Sequence, residues 1–472
     1  MDKTRLALAA LGLAVGAAQA HDGGFVGSFG VQGREQLGFA PSLGISLGFV
    51  SFVDLAVQSD GKIVVSATVA NGSSDDFGVL RLNSNGTLDT NFGTQGQTIV
   101  AFDGGGTNMD EASSVLLQPN GRIIVCGQAS GNSIGNGSDF GIVRLTSSGA
   151  PDAQFSGDGR ATVGFDLGPA GFRDDFAVRC SLQADGKIVA AGQAMTGMDA
   201  GRMAVARLNV DGSRDVGFNG SGTATVDFGP AYPDSIAFGV KSLANGGTLL
   251  IGGAGDAGIY SYSSWAFARL DASGQLDPTF GNAGIVLFNS GVPSYLPVEA
   301  LDVVVLADGS FVATGVMALE PDLMNYDYGV AKFTANGTLD TSFANGGVLI
   351  VPFDLGGAQS DLGIEIVQDP QGRLLVVGFS NATAVPTTTT MARLKPDGTF
   401  DPTFGVGGKL TLASAPPPML DEGDLGMSVA FTPDGGILIG SIASNSASPT
   451  GSYVGLAKLV GDTIFEGGFD PE

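Results

Sequence analysis

The sequence is poor in the side chains that most often carry metal or acid–base chemistry. It has 1 His, 2 Cys and 1 Trp in 472 residues. The single histidine, His21, excludes a zinc site of the Cys₂His₂ type, which needs two histidines. The base of a Ser-His-Asp triad would have to be this same residue near the start of the chain, so we assign His21 no role. Two cysteines exclude a disulfide scaffold. We expect Cys126 and Cys180 to be buried free thiols rather than a bridge.

Long apolar runs are also scarce. Residues 1–20 begin with two basic residues, continue with an apolar run and end in Ala18-Gln19-Ala20. This pattern predicts a secretory signal peptide cleaved after Ala20. No other stretch has the length that a membrane-spanning helix needs. We therefore expect residues 21–472 to be exported, to a secreted, periplasmic or cell-surface location, without a membrane span.

Basic side chains are outnumbered by acidic ones. The chain has 22 Lys and Arg against 47 Asp and Glu, a formal net charge of −25. Such a charge repels nucleic acid and anionic membranes, so neither is an expected partner. It attracts cations such as Ca²⁺, and it also keeps an exported protein soluble and monomeric. We expect a monomer.

A repeated β-hairpin is what the sequence does contain. Segments such as "LQADGKIVAAG" (182–192) place Asp-Gly or Asn-Gly, the residues that tight hairpin turns require, between two apolar runs. Gln371 is the one exception before a turn glycine. The turn glycines recur every 60 to 65 residues, at Gly61, Gly121, Gly186, Gly246, Gly309, Gly372 and Gly435.

Two further marks follow each hairpin. The first is a basic residue on a third apolar run, and the second is the motif Asp-x-x-Phe, whose Asp lies eight residues later in the first six units. We interpret these residues as structural, because an ion pair and a buried Phe repeated in every unit suit packing between repeats better than an asymmetric active site. In the first four units they are Arg81, Asp89, Phe92, Arg144, Asp152, Phe155, Arg207, Asp215, Phe218, Arg269, Asp277 and Phe280.

Each unit therefore contains four short strands and shows no helical period. Four strands per unit, repeated seven times, predict an all-β chain with one domain over residues 21–472, a seven-bladed β-propeller. The last unit lacks room for its fourth strand. Residues 28–40 carry the missing strand's pattern, so we expect the N-terminal segment to complete the last blade and close the ring.

The repeat "QxDGKIVVxG … DFxVxRLNxDGxLDxxFGxxG" resembles that of the bacterial delta-60 repeat proteins, a β-propeller family of unknown function. The resemblance covers the chain from about residue 25 to its end. It implies a propeller with an exported or surface location, and it implies no activity.

A third acidic set lies about eleven residues before the turn glycines. Its members are Asp110, Asp175, Asp234, Glu299, Asp361 and Asp424. They enter the first strand of six units, so they all lie on one rim of the predicted channel. Six carboxylates offer the oxygen ligands that Ca²⁺ prefers, which makes a rim calcium site one hypothesis and a capped or solvated rim the other.

The function predicted from these features is binding. We predict an exported scaffold for a protein or surface-glycan ligand, with no catalytic constellation, no enzyme activity and no cofactor other than calcium. The variable loops 317–328, 380–390 and 413–424 are the expected ligand surfaces. A hydrolase using acidic residues on one propeller face and a calcium-stabilised adhesion module are the alternatives.

Overall fold

The computed structural model of the chain contains strands, turns and loops and no helix among the residues that it describes. The described residues are 24–39, 43, 45–46, 52–72, 74–102, 108–130, 137–169, 173–198, 200–256, 262–320, 325–353, 355, 360–381, 387–412, 423–444 and 452–461. Within them, no helix has the length and apolarity to cross a membrane. The predicted signal peptide, His21 and the last Asp-x-x-Phe motif lie outside the described residues.

The strands form seven antiparallel four-stranded sheets, which are the blades. The first, innermost strands are β2 (Asp54–Val57), β6 (Glu111–Leu117), β10 (Asp175–Leu182), β14 (Asp234–Ser242), β18 (Tyr295–Val305), β22 (Asp361–Gln368) and β26 (Asp424–Phe431). The second strands are β3 (Ile63–Asn71), β7 (Ile123–Ser130), β11 (Ile188–Gly197), β15 (Thr248–Gly255), β19 (Phe311–Leu319), β23 (Leu374–Ser380) and β27 (Ile437–Ser444). The third strands are β4 (Ser74–Leu82), β8 (Ser138–Leu145), β12 (Ala200–Leu208), β16 (Tyr262–Leu270), β20 (Tyr326–Phe333), β24 (Thr388–Leu394) and β28 (Ser452–Leu459). The outermost strands are β5 (Gln97–Val100), β9 (Arg160–Val163), β13 (Thr223–Val226), β17 (Ile285–Phe288), β21 (Val348–Val351), β25 (Lys409–Leu412) and β1 (Arg34–Leu37).

The last blade is closed by the first strand of the chain. β1 pairs with β28 antiparallel, from Arg34 opposite Ala457 to Leu37 opposite Val454. The prediction of an all-β, seven-bladed propeller closed by its N-terminal strand is confirmed. The strand is shorter than the predicted segment 28–40, because residues 24–33 form turns and bridges before it.

Each repeated hairpin is held by its own turn residues. Gly61 and Gly186 adopt φ values of 81° and 85°, a region that favours glycine. The preceding Asp60 and Asp185 accept a hydrogen bond from the backbone N–H two residues later, at 3.1 and 3.2 Å. The Asp-Gly pair therefore fixes where the first strand of a blade ends and the second begins.

The blades pack through the repeated phenylalanines. Phe92, Phe155, Phe218, Phe280 and Phe404 are fully buried. The first strand of each blade contacts the first strands of both neighbouring blades, so the seven form a ring around the channel. We call the side that carries the turn glycines the hairpin face. The opposite side, where outer strands connect to the next first strand, is the connector face.

Candidate functional site

Five of the six predicted rim carboxylates lie where the chain enters the first strands, whereas Glu299 lies inside β18. Asp110 accepts backbone N–H bonds from Phe102 at 2.7 Å and Ser130 at 2.8 Å. Asp175 and Asp361 likewise accept the N–H of Phe165 and Phe353, both at 2.6 Å. These carboxylates hold the end of an outer strand against the start of the next blade.

The other rim residues are placed similarly. Asp234 accepts bonds from the side-chain amide of Gln193 at 2.9 Å and the N–H of Gly201 at 2.8 Å. Asp424 is buried at the start of β26. Burial raises the pKa of Asp175 and of Glu299 to about 7. Among the described residues, no three or more metal-ligating side chains lie together. The rim calcium site stays a prediction.

The six predicted ion pairs are all present. Their N–O distances run from 2.7 to 3.1 Å, in Arg81–Asp89, Arg144–Asp152, Arg207–Asp215, Arg269–Asp277, Lys332–Asp340 and Arg393–Asp401. Five of the arginines also lie over the Phe of the motif, 4.6 to 4.8 Å from the ring centre.

These arginines also connect neighbouring blades. Arg207 donates to the backbone carbonyl of Ala272 in the next blade at 2.8 Å, and Arg144 donates to that of Val210. One guanidinium thus joins an acid, an aromatic ring and a neighbouring turn, so its removal leaves several groups unpaired. The repeated basic residues hold the ring together.

The cysteines correct an expectation. Cys126 on β7 and Cys180 on β10 form a disulfide with their Cα atoms 6.3 Å apart. The prediction of two free thiols was wrong, because the sequence does not say which faces of adjacent blades meet. The bridge joins the second blade to the third.

An asymmetric constellation lies deeper in the channel. One layer of the channel is formed by the residue seven positions before the turn glycine in each first strand. These seven residues are Asp54, Ser114, Arg179, Gly239, Asp302, Glu365 and Ser428. In blades two to seven they directly follow a β-bulge. A bulge re-aims the side chains that follow it, and bulges are common beside functional sites.

We call the charged members of this layer, Asp54, Arg179, Asp302 and Glu365, together with Lys241, the channel ring. Arg179 lies 3.4 Å from Asp54, and Lys241 lies 3.3 Å from Asp302. Both cations come from adjacent blades, the third and fourth, whereas the carboxylates come from the first, fifth and sixth. Each cation of the ring therefore lies against a carboxylate that another blade supplies.

The three carboxylates are also tied to the backbone of the next blade. Asp54 accepts the N–H of Val115 at 2.8 Å, Asp302 that of Ile366 at 3.1 Å, and Glu365 that of Val429 at 3.0 Å. These bonds fix the carboxylates in place before any ligand arrives. Pre-organised acceptors of this kind lose little freedom when they bind a donor.

Burial dominates the electrostatics of the ring. It raises the pKa of Glu365 to about 8, against the opposing effect of Arg179. It also raises the pKa of Asp54, and Arg179 again opposes the shift. Burial alone would lower the pKa of Arg179, but Asp54, Glu365 and Asp302 outweigh it and raise that pKa. At neutral pH, Glu365 is therefore largely protonated beside a permanently charged guanidinium.

Burial differs on the two sides of the ring. The residues two positions after the ring residues, on the side of the turn glycines, form a half-buried layer of the channel wall. They are Ala56, Leu116, Ser181, Lys241, Val304, Val367 and Ala430. One residue before the ring, a largely buried layer lies on the connector side: Val53, Ser113, Val178, Phe238, Leu301, Ile364 and Met427. Lys241 is 38% exposed, whereas its partner Asp302 is 5% exposed. We therefore infer that the hairpin side is the opening of the channel, and we call the space that these half-buried, mostly apolar side chains surround above the ring the recess.

The sequence contains a signal for this ring that the repeated motifs do not reveal. Aligning the seven repeats on their turn glycines shows Asp, Ser, Arg, Gly, Asp, Glu and Ser at one position. A position at which repeats differ in charge is where a symmetric scaffold can build an asymmetric site. Most of the loop residues that we expected to bind a ligand, such as 382–386 and 413–422, lie outside the described residues.

Comparisons with known proteins agree with the fold. A family model described as a domain of unknown function (DUF5122) beta-propeller matches six segments of the chain: 58–92, 118–155, 183–218, 247–280, 324–343 and 370–404. These matches support a β-propeller repeat family of unknown function. The narrower delta-60 assignment stays a prediction. No curated protein matches the chain.

Solved structures share the fold at low identity. The polysaccharide lyase Uly1 is 8% identical, with 89% of this chain and 93% of that chain covered at a TM-score of 0.48. A PL25-ulvanlyase polysaccharide lyase is 11% identical, with 90% and 96% covered at a TM-score of 0.48. A protein of unknown function from Dyadobacter fermentans is 9% identical, with 91% and 99% covered at a TM-score of 0.42.

These structures correct one expectation from the sequence. We expected no enzyme activity because no familiar catalytic constellation was found. Polysaccharide lyases are among the chains that share this propeller, so that expectation was wrong. At such identities the likeness extends to the fold alone, and the activity of this chain has to be argued from its own residues.

Proposed function

We propose that this chain is an exported, ligand-binding β-propeller whose channel ring binds the cationic end of a ligand. The observation that carries the proposal is the charge asymmetry at one layer of an otherwise repeated scaffold. Asp54, Asp302 and Glu365 supply three carboxyl groups where the other blades have Ser, Arg or Gly. Symmetric packing of seven blades does not require this difference.

The charge of the molecule favours a cation over an anion. The formal net charge of −25 attracts cations towards any opening. Within the recess, the half-exposed Lys241 is the one ring cation that can swing away from its carboxylate. An incoming ammonium group would replace it beside Asp302 and favour the ionised form of Glu365.

The walls favour a ligand with an apolar body. Ala56, Leu116, Val304, Val367 and Ala430 are half-buried and line the path from the hairpin face to the ring. A chain of methylene groups would remove apolar surface from water there, at about 25 cal/mol per Å². Alkyl amines and the lysine side chains of a partner protein have this chemistry.

Two features support export. The chain starts with the pattern of a signal peptide, and Cys126 and Cys180 form a disulfide. Disulfides persist in oxidising compartments and are rare in the cytosol. We infer a secreted, periplasmic or cell-surface location.

Calorimetric titration of residues 21–472 with hexylamine and with hexanoate tests the binding proposal. We expect hexylamine to bind and hexanoate to fail. Glu365→Gln should weaken binding about tenfold or more, since a charged hydrogen bond is lost. Lys241→Ala should strengthen it, because the competing ammonium is gone.

The exposed Lys395→Ala is the matched control for Lys241→Ala and should leave the affinity unchanged. Failure of hexylamine to bind at millimolar concentration, or equal affinities for wild type and Glu365→Gln, would contradict the proposal.

A second function is favoured by one observation, the raised pKa of Glu365. A carboxyl group with a pKa of about 8 can donate a proton at neutral pH, as the acid of a glycosidase does, while Asp54 or Asp302 acts as the carboxylate partner. Release of an aryl alcohol from chromogenic glycosides, abolished by Glu365→Gln, would support this hydrolase function. No turnover with any glycoside would contradict it.

A further inference from the structure

A groove lies on the connector face between the third and fourth blades, opposite the opening of the channel ring. Its volume is about 480 Å³, within the range of small-molecule sites. Thr196 and Ala200 border it on the third blade, and the connector 226–233 borders it on the other side. All of these side chains belong to described residues.

The connector is an ordered turn, and two of its aromatic residues, Phe228 and Tyr232, line the groove. Asp227 accepts the N–H of Gly229 at 2.8 Å, and the N–H of Tyr232 donates to the carbonyl of Gly229 at 3.0 Å. Gly229 has a φ of 95°, and Pro230 and Pro233 each restrict the backbone further. Tyr232, half-buried, is therefore held at the groove rather than left free to move.

A charged pair borders the same groove. Arg202 lies 3.0 Å from Asp227, with their side chains 43% and 59% exposed. A pair so exposed adds little stability. Both oxygens of Asp227 are bonded, Oδ1 to the N–H of Gly229 and Oδ2 to Arg202, so the N–H groups that remain on the guanidinium are the ones that can donate to a ligand. At the position of Arg202, three other blades carry an acid: Asp76, Asp139 and Asp327. The pair is a property of the third blade and not of the repeat.

The residues beneath the groove are fixed. Ser235 accepts the N–H of Met203 at 3.0 Å, and Asp234 accepts that of Gly201 at 2.8 Å. These bonds lock the backbone on both sides of Arg202 to the first strand of the next blade. A pre-organised site of this kind keeps its geometry when a ligand binds.

We infer that this groove binds a neutral carbohydrate. A fixed aromatic side chain packs against the apolar face of a sugar ring, while the remaining N–H groups of the Arg202 guanidinium donate to the hydroxyl groups of the sugar. The net charge of −25 repels polyanionic sugars. The inference does not rest on the channel ring, which faces the other side of the propeller.

Saturation-transfer NMR and calorimetry of residues 21–472 would test it, with hexasaccharides of glucose, mannose and galactose as probes. Oligogalacturonate and a proline-rich peptide are the comparison ligands. We expect at least one neutral hexasaccharide to bind and both comparison ligands to fail. Tyr232→Ala and Arg202→Ala should each weaken binding about tenfold, and Tyr232→Phe should retain it because the ring face is kept.

The exposed pair Arg160–Asp158 provides the matched control, so Arg160→Ala should bind like wild type. Lys241→Ala should also bind the sugar normally, which separates this site from the channel ring. Absence of binding by all three neutral hexasaccharides, binding unchanged in both Tyr232→Ala and Arg202→Ala, or binding of the peptide or oligogalacturonate in their place would overturn the inference.

Discussion

Replacing Glu365 with Gln is expected to change how the free energy of unfolding depends on pH. The pKa of Glu365 is about 8 in the folded protein and about 4.3 in an unfolded chain. Because the folded pKa is raised, the folded state binds the extra proton between these values. The contribution of Glu365 to stability is complete below pH 4.3 and is lost as the pH rises to 8.

The size of the effect follows from the pH interval. Each pH unit inside the window costs about 1.4 kcal/mol. The slope flattens near pH 8, where Glu365 begins to ionise in the folded state as well. From pH 6 to pH 8, wild type should therefore lose about 2 kcal/mol more than Glu365→Gln, whose amide cannot ionise. The amide oxygen can still accept the N–H of Val429, so the variant keeps the contact that Glu365 makes with the last blade.

Guanidinium denaturation of residues 21–472 at pH 6, 7, 8 and 9 measures this difference. The exposed Glu320→Gln is the control and should follow wild type. Asp175 and Glu299 are two carboxyls outside the channel ring whose pKa values are also raised; they are the same in both chains, so their contributions cancel. Parallel pH profiles for wild type and Glu365→Gln would refute the argument that burial keeps Glu365 protonated in the channel.

Three further predictions concern the scaffold. Removing the disulfide in Cys126→Ala/Cys180→Ala should lower the free energy of unfolding by about 4 kcal/mol, as chain entropy predicts for a bridge spanning 54 residues; an unchanged denaturation midpoint would contradict this. Arg144→Ala should lower the free energy of unfolding by about 3 kcal/mol or more, and Arg160→Ala by less than about 1 kcal/mol; equal losses would contradict the conclusion that Arg144 joins neighbouring blades. If the rim binds Ca²⁺, the melting temperature should be higher with millimolar Ca²⁺ than with chelator, and equal melting temperatures would contradict the rim calcium site and favour capped or solvated carboxylates.

The repeat made the fold predictable from the sequence. An Asp-Gly turn such as Asp185-Gly186 specifies a hairpin locally, and seven copies in one register specify the blades. The partner of Arg81 was also predictable, because Asp89 follows at a fixed spacing on the adjoining loop. Closure by β1 followed from the strand missing in the last unit.

The channel ring was not predicted, for a physical reason. Asp175 and Arg179 lie four residues apart on one strand, so simple alternation would place both side chains on the same face. The bulge between Ala177 and Arg179 reverses the alternation after it. The acids of the rim recur in six repeats and were therefore easier to recognise in the sequence than those of the ring, which occur in three. The disulfide was not predicted for a different reason: its two cysteines belong to different blades, and the sequence does not show which faces of the blades meet.

The central claim is that the channel ring receives a cation from the hairpin face. A crystal structure of residues 21–472 grown with hexylamine tests it most directly. The account predicts an ammonium group within hydrogen-bonding distance of Asp302 and Glu365, an alkyl chain against Val304 and Val367, and Lys241 moved away. An empty recess at saturating hexylamine, or a molecule bound elsewhere with Lys241 still on Asp302, would contradict it.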